Sequence, residues 1–202
     1  MKLDKATIEG LAAHLEAAEL NARDVTKITD EHPGMDWDDA YAIQDEIRRR
    51  KEARGQRTAG LKAGLTSFAK MKQMGVDTPV FGFVSDYMAR PEGGEIKTSE
   101  LIHPKVEAEI CIVTKTALRG PGCHMGAVLA AIDFVLPAVE VIDSRYRDFK
   151  FAAGDVVADN ASSGAYVVGA AGLAPSEVDL IAEEVLVEVD GEIVDKATGA
   201  AV

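Results

Sequence analysis

Cysteine is scarce in this chain: Cys111 and Cys123 are the only two in 202 residues. That excludes a disulfide framework, and their spacing excludes a cysteine zinc site. They read as two reduced thiols. Positive charge is scarce as well. Lys and Arg total 22 against 34 Asp and Glu, a net charge of −12, so the basic footprint that a nucleic-acid surface needs is missing. No apolar run reaches membrane-spanning length, and the N-terminal MKLDKATIEG lacks the apolar core of a secretory signal. Aromatic residues are only 5%. There is no internal repeat and no low-complexity tract. These absences predict a cytoplasmic protein that binds neither nucleic acid nor membrane.

What is present is an ordinary globular composition, 47% apolar and 28% charged. Ile8, Leu11, Ala12 and Leu15 fall at helical spacing and predict an amphipathic helix over 6–20. Pro33 and Gly34 mark a loop. Asp36 is placed to cap a second helix running to about Arg54, with Ala40, Ile43 and Ile47 inward and Gly55 as its stop. Arg48, Arg49, Arg50 and Lys51 lie in its last turns, where cations complement the helix dipole.

Beyond Gly55 the pattern changes to short β-like runs, at 57–63, 79–84, 105–114, 134–142, 165–169 and 184–195. Two short helices interrupt them, at 67–74 (stopped by Gly75) and 125–132. Asp190-Gly191 between the last apolar runs signals a type I′ hairpin. The predicted fold class is α+β, with a helical segment at 1–55 and a β-rich catalytic domain at 56–202.

Chemistry concentrates in Lys105-Val106-Glu107-Ala108-Glu109-Ile110. Strand alternation puts Val106, Ala108 and Ile110 on one face and Glu107 and Glu109 together on the other, about 7 Å apart. Cys111 and Val113 continue the glutamate face with apolar groups, so it does not read as a simple wet surface. Glu140 lies in Phe134-Val135-Leu136-Pro137-Ala138-Val139-Glu140-Val141-Ile142, a run that reads as a buried strand. A carboxylate there is costly unless paired or metal-bound. Three such carboxylates suit a hard divalent cation, Mg2+ or Mn2+, with positions left for water and substrate.

Lys62 stands in Ala59-Gly60-Leu61-Lys62-Ala63-Gly64, where a solubilising lysine is out of place. It is either a strand-end lysine reaching for water or a desolvated ammonium that binds an oxo group or moves a proton. Asp159-Asn160-Ala161-Ser162-Ser163-Gly164 is a polar turn, or a set of donors (Asn160, Ser162) for a substrate carboxylate. Asp77, before Thr78-Pro79, carries the same two readings. The four histidines show no ligand spacing.

GLKAGLTSFAKMKQMGVDTPVFG (60–82), HPKVEAEI (103–110), LPAVEVIDSRY (136–146) and VADNASSGAYVVG (157–169) together resemble the hydratase/decarboxylase branch of the fumarylacetoacetate hydrolase superfamily. The resemblance spans nearly the whole chain. It implies an N-terminal helical segment packed on a mixed β-roll. It also implies Mg2+ held at Glu107, Glu109 and Glu140, with Lys62 in the active site. Leu61, His103 and Lys105 differ from the arginine and QPR usual in the hydratases and lean toward the decarboxylases. The implied activity is decarboxylation of a small 2-oxo dicarboxylate, 2-oxo-3-hexenedioate, in aromatic meta-cleavage catabolism. Hydration of 2-hydroxypenta-2,4-dienoate, or a non-catalytic subunit role, is the alternative. A homo-oligomer and a complex with the pathway hydratase are implied partners. The family's roll continues past the position of Val202, so its C-terminal strands are expected to be missing here.

Overall fold

The computed structural model describes all 202 residues. Helix α1 (Lys5–Leu20) begins where the Asp4 carboxylate accepts from the Thr7 N–H at 2.8 Å, and it buries Ile8, Ala12, Leu15 and Ala18. Helix α2 (Trp37–Ala53) opens on a reciprocal pair: the Asp39 N–H donates to Asp36, and the Asp36 N–H donates back to Asp39. The Asp39 carboxylate also accepts from the Lys2 and Leu3 N–H groups, which ties the chain start to α2.

The chain then forms β1 (Thr58–Gly64), α3 (Phe68–Met74), β2 (Val80–Ser85), β3 (Ala89–Arg90), β4 (Pro104–Thr114), α4 (Met125–Ala131), β5 (Ile132–Asp143), α5 (Ala153–Ala158), β6 (Ser163–Val168), β7 (Glu184–Val189) and β8 (Glu192–Thr198). The architecture is α+β. Strands β1 and β2 pair antiparallel, with Lys62 opposite Gly82. A four-stranded sheet has the order β3-β6-β5-β4, and β7 and β8 form a hairpin. Asp190 and Gly191 at its tip both have positive φ, 53° and 85°, as a type I′ turn requires. Gly75 ends α3 in the left-handed conformation, as its position after the periodic run predicts.

Two compact units emerge. One comprises residues 1–89, 95–106 and 141–165; the other comprises 90–94, 107–140 and 166–202. Each is discontinuous in sequence, which is why no linker is visible in the composition. The first unit holds a continuous core of Ile8, Leu15, Ile28, Ile43, Ile47, Phe83, Tyr146 and Val157 with their neighbours. Fully burying side chains of this size contributes about 1.5–3 kcal/mol each.

Several local expectations change. Helix α5 has no counterpart in the sequence reading, because six residues are too few for a helical period to show. The basic run of α2 does more than complement a dipole. Arg50 and Arg54 pair with Glu16, at 2.6 and 2.7 Å. The Lys51 ammonium is buried and donates to Glu19 at 2.7 Å and to the Tyr87 hydroxyl at 2.7 Å. The alternating apolar positions of β4 do not form a buried face, since Val106 is 63% exposed and Ile112 45%. Strand β5 is buried only in part, with Phe134 and Val139 exposed. Alternation fixes which residues share a face and not what covers it.

Candidate functional site

Glu107 and Glu109 lie two residues apart on β4, and Glu140 lies on the neighbouring strand β5. One carboxylate oxygen from each falls within 4.8 Å of the others. Their surroundings are graded: Glu107 is exposed, Glu109 is intermediate and Glu140 is 7% exposed. An octahedral Mg2+ with bonds of 2.0–2.1 Å sets its ligand oxygens roughly 3–4 Å apart. Small side-chain rotations therefore close this trio onto such an ion. The donor set is all oxygen and anionic, which suits Mg2+ or Mn2+ over a soft metal. Cys111, the nearest thiol in sequence, is free, and burial pushes it above the usual thiol range.

All three glutamates belong to the second unit. Lys62, Asp77, Asn160 and Ser162 belong to the first. Lys62 is half-buried on β1 and donates from Nζ to the Ala161 carbonyl at 2.9 Å. Gly82 faces it, and a Cβ there would meet the Asn160 carbonyl and side-chain oxygens at 2.9 Å and Lys62 Cγ at 3.2 Å. The close approach requires a glycine.

The polar turn at 160–162 is unusual backbone. Asn160, Ala161 and Ser162 have φ of 51°, 49° and 57°. Left-handed backbone costs an ordinary L-residue roughly 1–2 kcal/mol, so three in succession must be held from outside. Asn160 accepts at Oδ1 from the Phe83 N–H at 2.8 Å and donates from Nδ2 to the Phe83 carbonyl at 2.9 Å. Arg145, 2% exposed, pairs with Asp159 and donates to the carbonyls of Asp159 and Ser163, which bracket the turn. Burial pushes Asp159 up to about 6, with Arg145 opposing, so its carboxylate stays ionised at neutral pH. Burial alone would lower Arg145, but the carboxylates of Asp159 and Glu19 more than offset it and keep the guanidinium charged.

Within this turn the Ser162 hydroxyl is buried and meets no hydrogen-bond partner in the protein. Buried hydroxyls are normally satisfied, so it is poised for an outside acceptor. Asp77 borders an open depression of about 520 Å³ lined by Trp37, Tyr41, Asp77, Thr78, Pro79 and Phe81. The histidines stay outside these groupings, and His124 caps α4 by accepting from the Ala127 N–H at 3.3 Å. The sequence reading did not single out Gly82, Arg145 or the Ala161 carbonyl. Arg145 carried a signal, a cation just past Asp143-Ser144 at the end of the mostly apolar run 134–142. A backbone carbonyl carries none.

No family model matches the chain. The 4-oxalocrotonate decarboxylase of Pseudomonas putida is 55% identical over 200 residues, covering 99% of this chain and 76% of that protein. A solved structure of 4-oxalocrotonate decarboxylase from Pseudomonas putida G7, complexed with magnesium and adipate, matches with a TM-score of 0.97 and 55% identity over 100% of this chain and 76% of that one. A 2-hydroxypent-2,4-dienoate hydratase of Pseudomonas putida is 39% identical over 200 residues, covering 98% of this chain and 90% of the relative.

Proposed function

This chain belongs to the 4-oxalocrotonate decarboxylase family, and on that premise we propose that it removes CO2 from 2-oxo-3-hexenedioate, leaving 2-hydroxypenta-2,4-dienoate in aromatic meta-cleavage catabolism. It is a divalent-metal-dependent carboxy-lyase. Glu107, Glu109 and Glu140 hold Mg2+ or Mn2+. The observation that carries this reading is the approach of their oxygens to within 4.8 Å, in a chain 55% identical to a decarboxylase solved in complex with magnesium and adipate. Adipate is a six-carbon dicarboxylate like the substrate named here.

When bound, the cation supplies Lewis-acid stabilisation of negative charge developing on the substrate's 2-oxo group. Lys62 binds or protonates the substrate near its reacting end. Ser162 donates its unpartnered hydroxyl to a substrate oxygen, Asp77 contacts the substrate, and Asn160 shapes the turn that presents Ser162. Leu61 beside Lys62 adds no second cation. This suits a carboxylate that must leave as neutral CO2, because strong pairing there would stabilise the ground state over the transition state.

Residues 1–55 serve as the helical support and 56–202 as the catalytic β-roll. The enzyme works in the cytoplasm as a homo-oligomer that hands its product to the pathway hydratase in a complex. No helix is long and apolar enough to cross a membrane.

The test supplies the protein and Mg2+ with 2-oxo-3-hexenedioate and 2-hydroxypenta-2,4-dienoate separately. CO2 release from the diacid, with little hydration of the dienoate, is the expected result. Fast hydration of the dienoate with no CO2 from the diacid would overturn the decarboxylase reading in favour of the hydratase one.

A further inference from the structure

We infer that Asn160 is a positioning residue for Lys62, acting through the left-handed turn whose Ala161 carbonyl receives the lysine ammonium. The inference rests on the reading of Lys62 as the group that works on the reacting end of the substrate. Lys62 Nζ donates to the Ala161 carbonyl at 2.9 Å. That carbonyl points where it does because residues 160–162 run left-handed, a conformation that only external bonds maintain in non-glycine residues.

Asn160 provides two of those bonds with both ends of its amide, each to the backbone of Phe83, beside those that Arg145 makes to the flanking carbonyls. Phe83 follows Gly82, the residue opposite Lys62 in the β1–β2 register. The lysine, the carbonyl, the asparagine and the paired strand thus close a ring, and Gly82 lets Asn160 and Lys62 approach across it. Asn160 is 3% exposed, and its amide is already committed to Phe83. It acts on the substrate by setting where the ammonium stands.

A turnover cycle on the full chain with Mg2+ and 2-oxo-3-hexenedioate tests this, using Asn160→Ala, Lys62→Ala and the double variant. Misplacing a reacting group by about 1 Å costs on the order of 100-fold. Asn160→Ala should therefore lower kcat by roughly 10- to 100-fold while Mn2+ affinity and the circular dichroism spectrum stay near those of the wild type. In the Lys62→Ala background it should cost no further kcat, since residues acting as one unit are not additive. A folded Asn160→Ala protein with wild-type kcat, or losses that multiply in the double variant, would overturn the inference. Wild-type turnover in Lys62→Ala alone would overturn the lysine reading beneath it. If Asn160→Ala does not fold, Asn160→Asp, which keeps the outline and the bond from the Phe83 N–H, is read by the same cycle.

Discussion

The two units of this chain are built differently. The first holds nearly all of the protein's buried large apolar side chains and most of its buried charges, among them Glu16, Lys51, Arg145, Asp155 and Asp159. In the second, the buried apolar residues are Ala131, Ile132 and Val135, and the buried polar one is Glu140. Its hairpin leaves Leu186, Ile193 and Val194 at least half exposed. One unit is held by its own packing. The other has little core, and its most buried charge belongs to the carboxylate trio. A cation at those carboxylates would stabilise that unit by mass action as well as serve catalysis.

The largest expected effect separates the chemistry of the two units. Lys62→Ala should cut turnover by roughly 100- to 10,000-fold, the range for loss of a general acid or base, while Mn2+ affinity measured by titration stays unchanged. A parallel loss of metal affinity would mean that the lysine and the glutamates do not act separately. Next comes Asp159→Ala, which leaves the Arg145 guanidinium buried without its ion-pair partner. It should destabilise the protein by about 3–5 kcal/mol in urea unfolding. A loss below about 1 kcal/mol, the usual value of a surface pair, would show that the pair is solvated.

A matched pair of isoleucine truncations sharpens the contrast in packing. Ile43→Ala, at a fully buried site, should cost about 2–5 kcal/mol. Ile193→Ala, at a site 59% exposed, should stay within about 0.5 kcal/mol. Equal losses would erase the difference between the units.

The smallest effect is on pH dependence. Burial raises Glu19, but the charges of Lys51 and Arg145 win and hold it below its ordinary 4.5. A depressed acid contributes stability that is full above its unfolded value and lost as pH falls through the folded one. Its contribution should therefore disappear below pH 4.5. Asp159, raised to about 6, runs the other way and favours the fold as pH drops from 6 toward 3.8. Urea midpoints should thus hold or rise slightly from pH 6 to 4.5 and then fall, and Glu19→Gln should flatten the fall. A midpoint declining steadily from pH 7 would contradict both assignments.

Much of this was legible in the sequence where the cause is local. Asp36 capping α2, Gly75 and Gly55 stopping helices, and Asp190-Gly191 turning the hairpin all follow from neighbours within a few residues. The glutamate trio was legible for a different reason. Alternation put Glu107 and Glu109 on one face, and the apolar run around Glu140 made its charge anomalous. What stayed hidden depends on partners distant in sequence. Lys51 looked like one more surface cation until Glu19 and Tyr87 enclosed it. Arg145 and Asp159 form their pair only once the segment between them folds back through α5. The carbonyl that receives Lys62 belongs to an alanine, and no residue type announces a left-handed alanine.

Calorimetric titration of Mn2+ into the wild-type protein and into Glu140→Gln decides whether these three glutamates hold the ion. One ion should bind per chain in the wild type. The substitution, which keeps size and removes one anionic ligand, should weaken binding by more than the roughly 10- to 100-fold typical of an outer-shell partner. Circular dichroism should show the fold intact. Wild-type Mn2+ affinity in a folded Glu140→Gln protein would contradict the assignment of these three glutamates as the metal site.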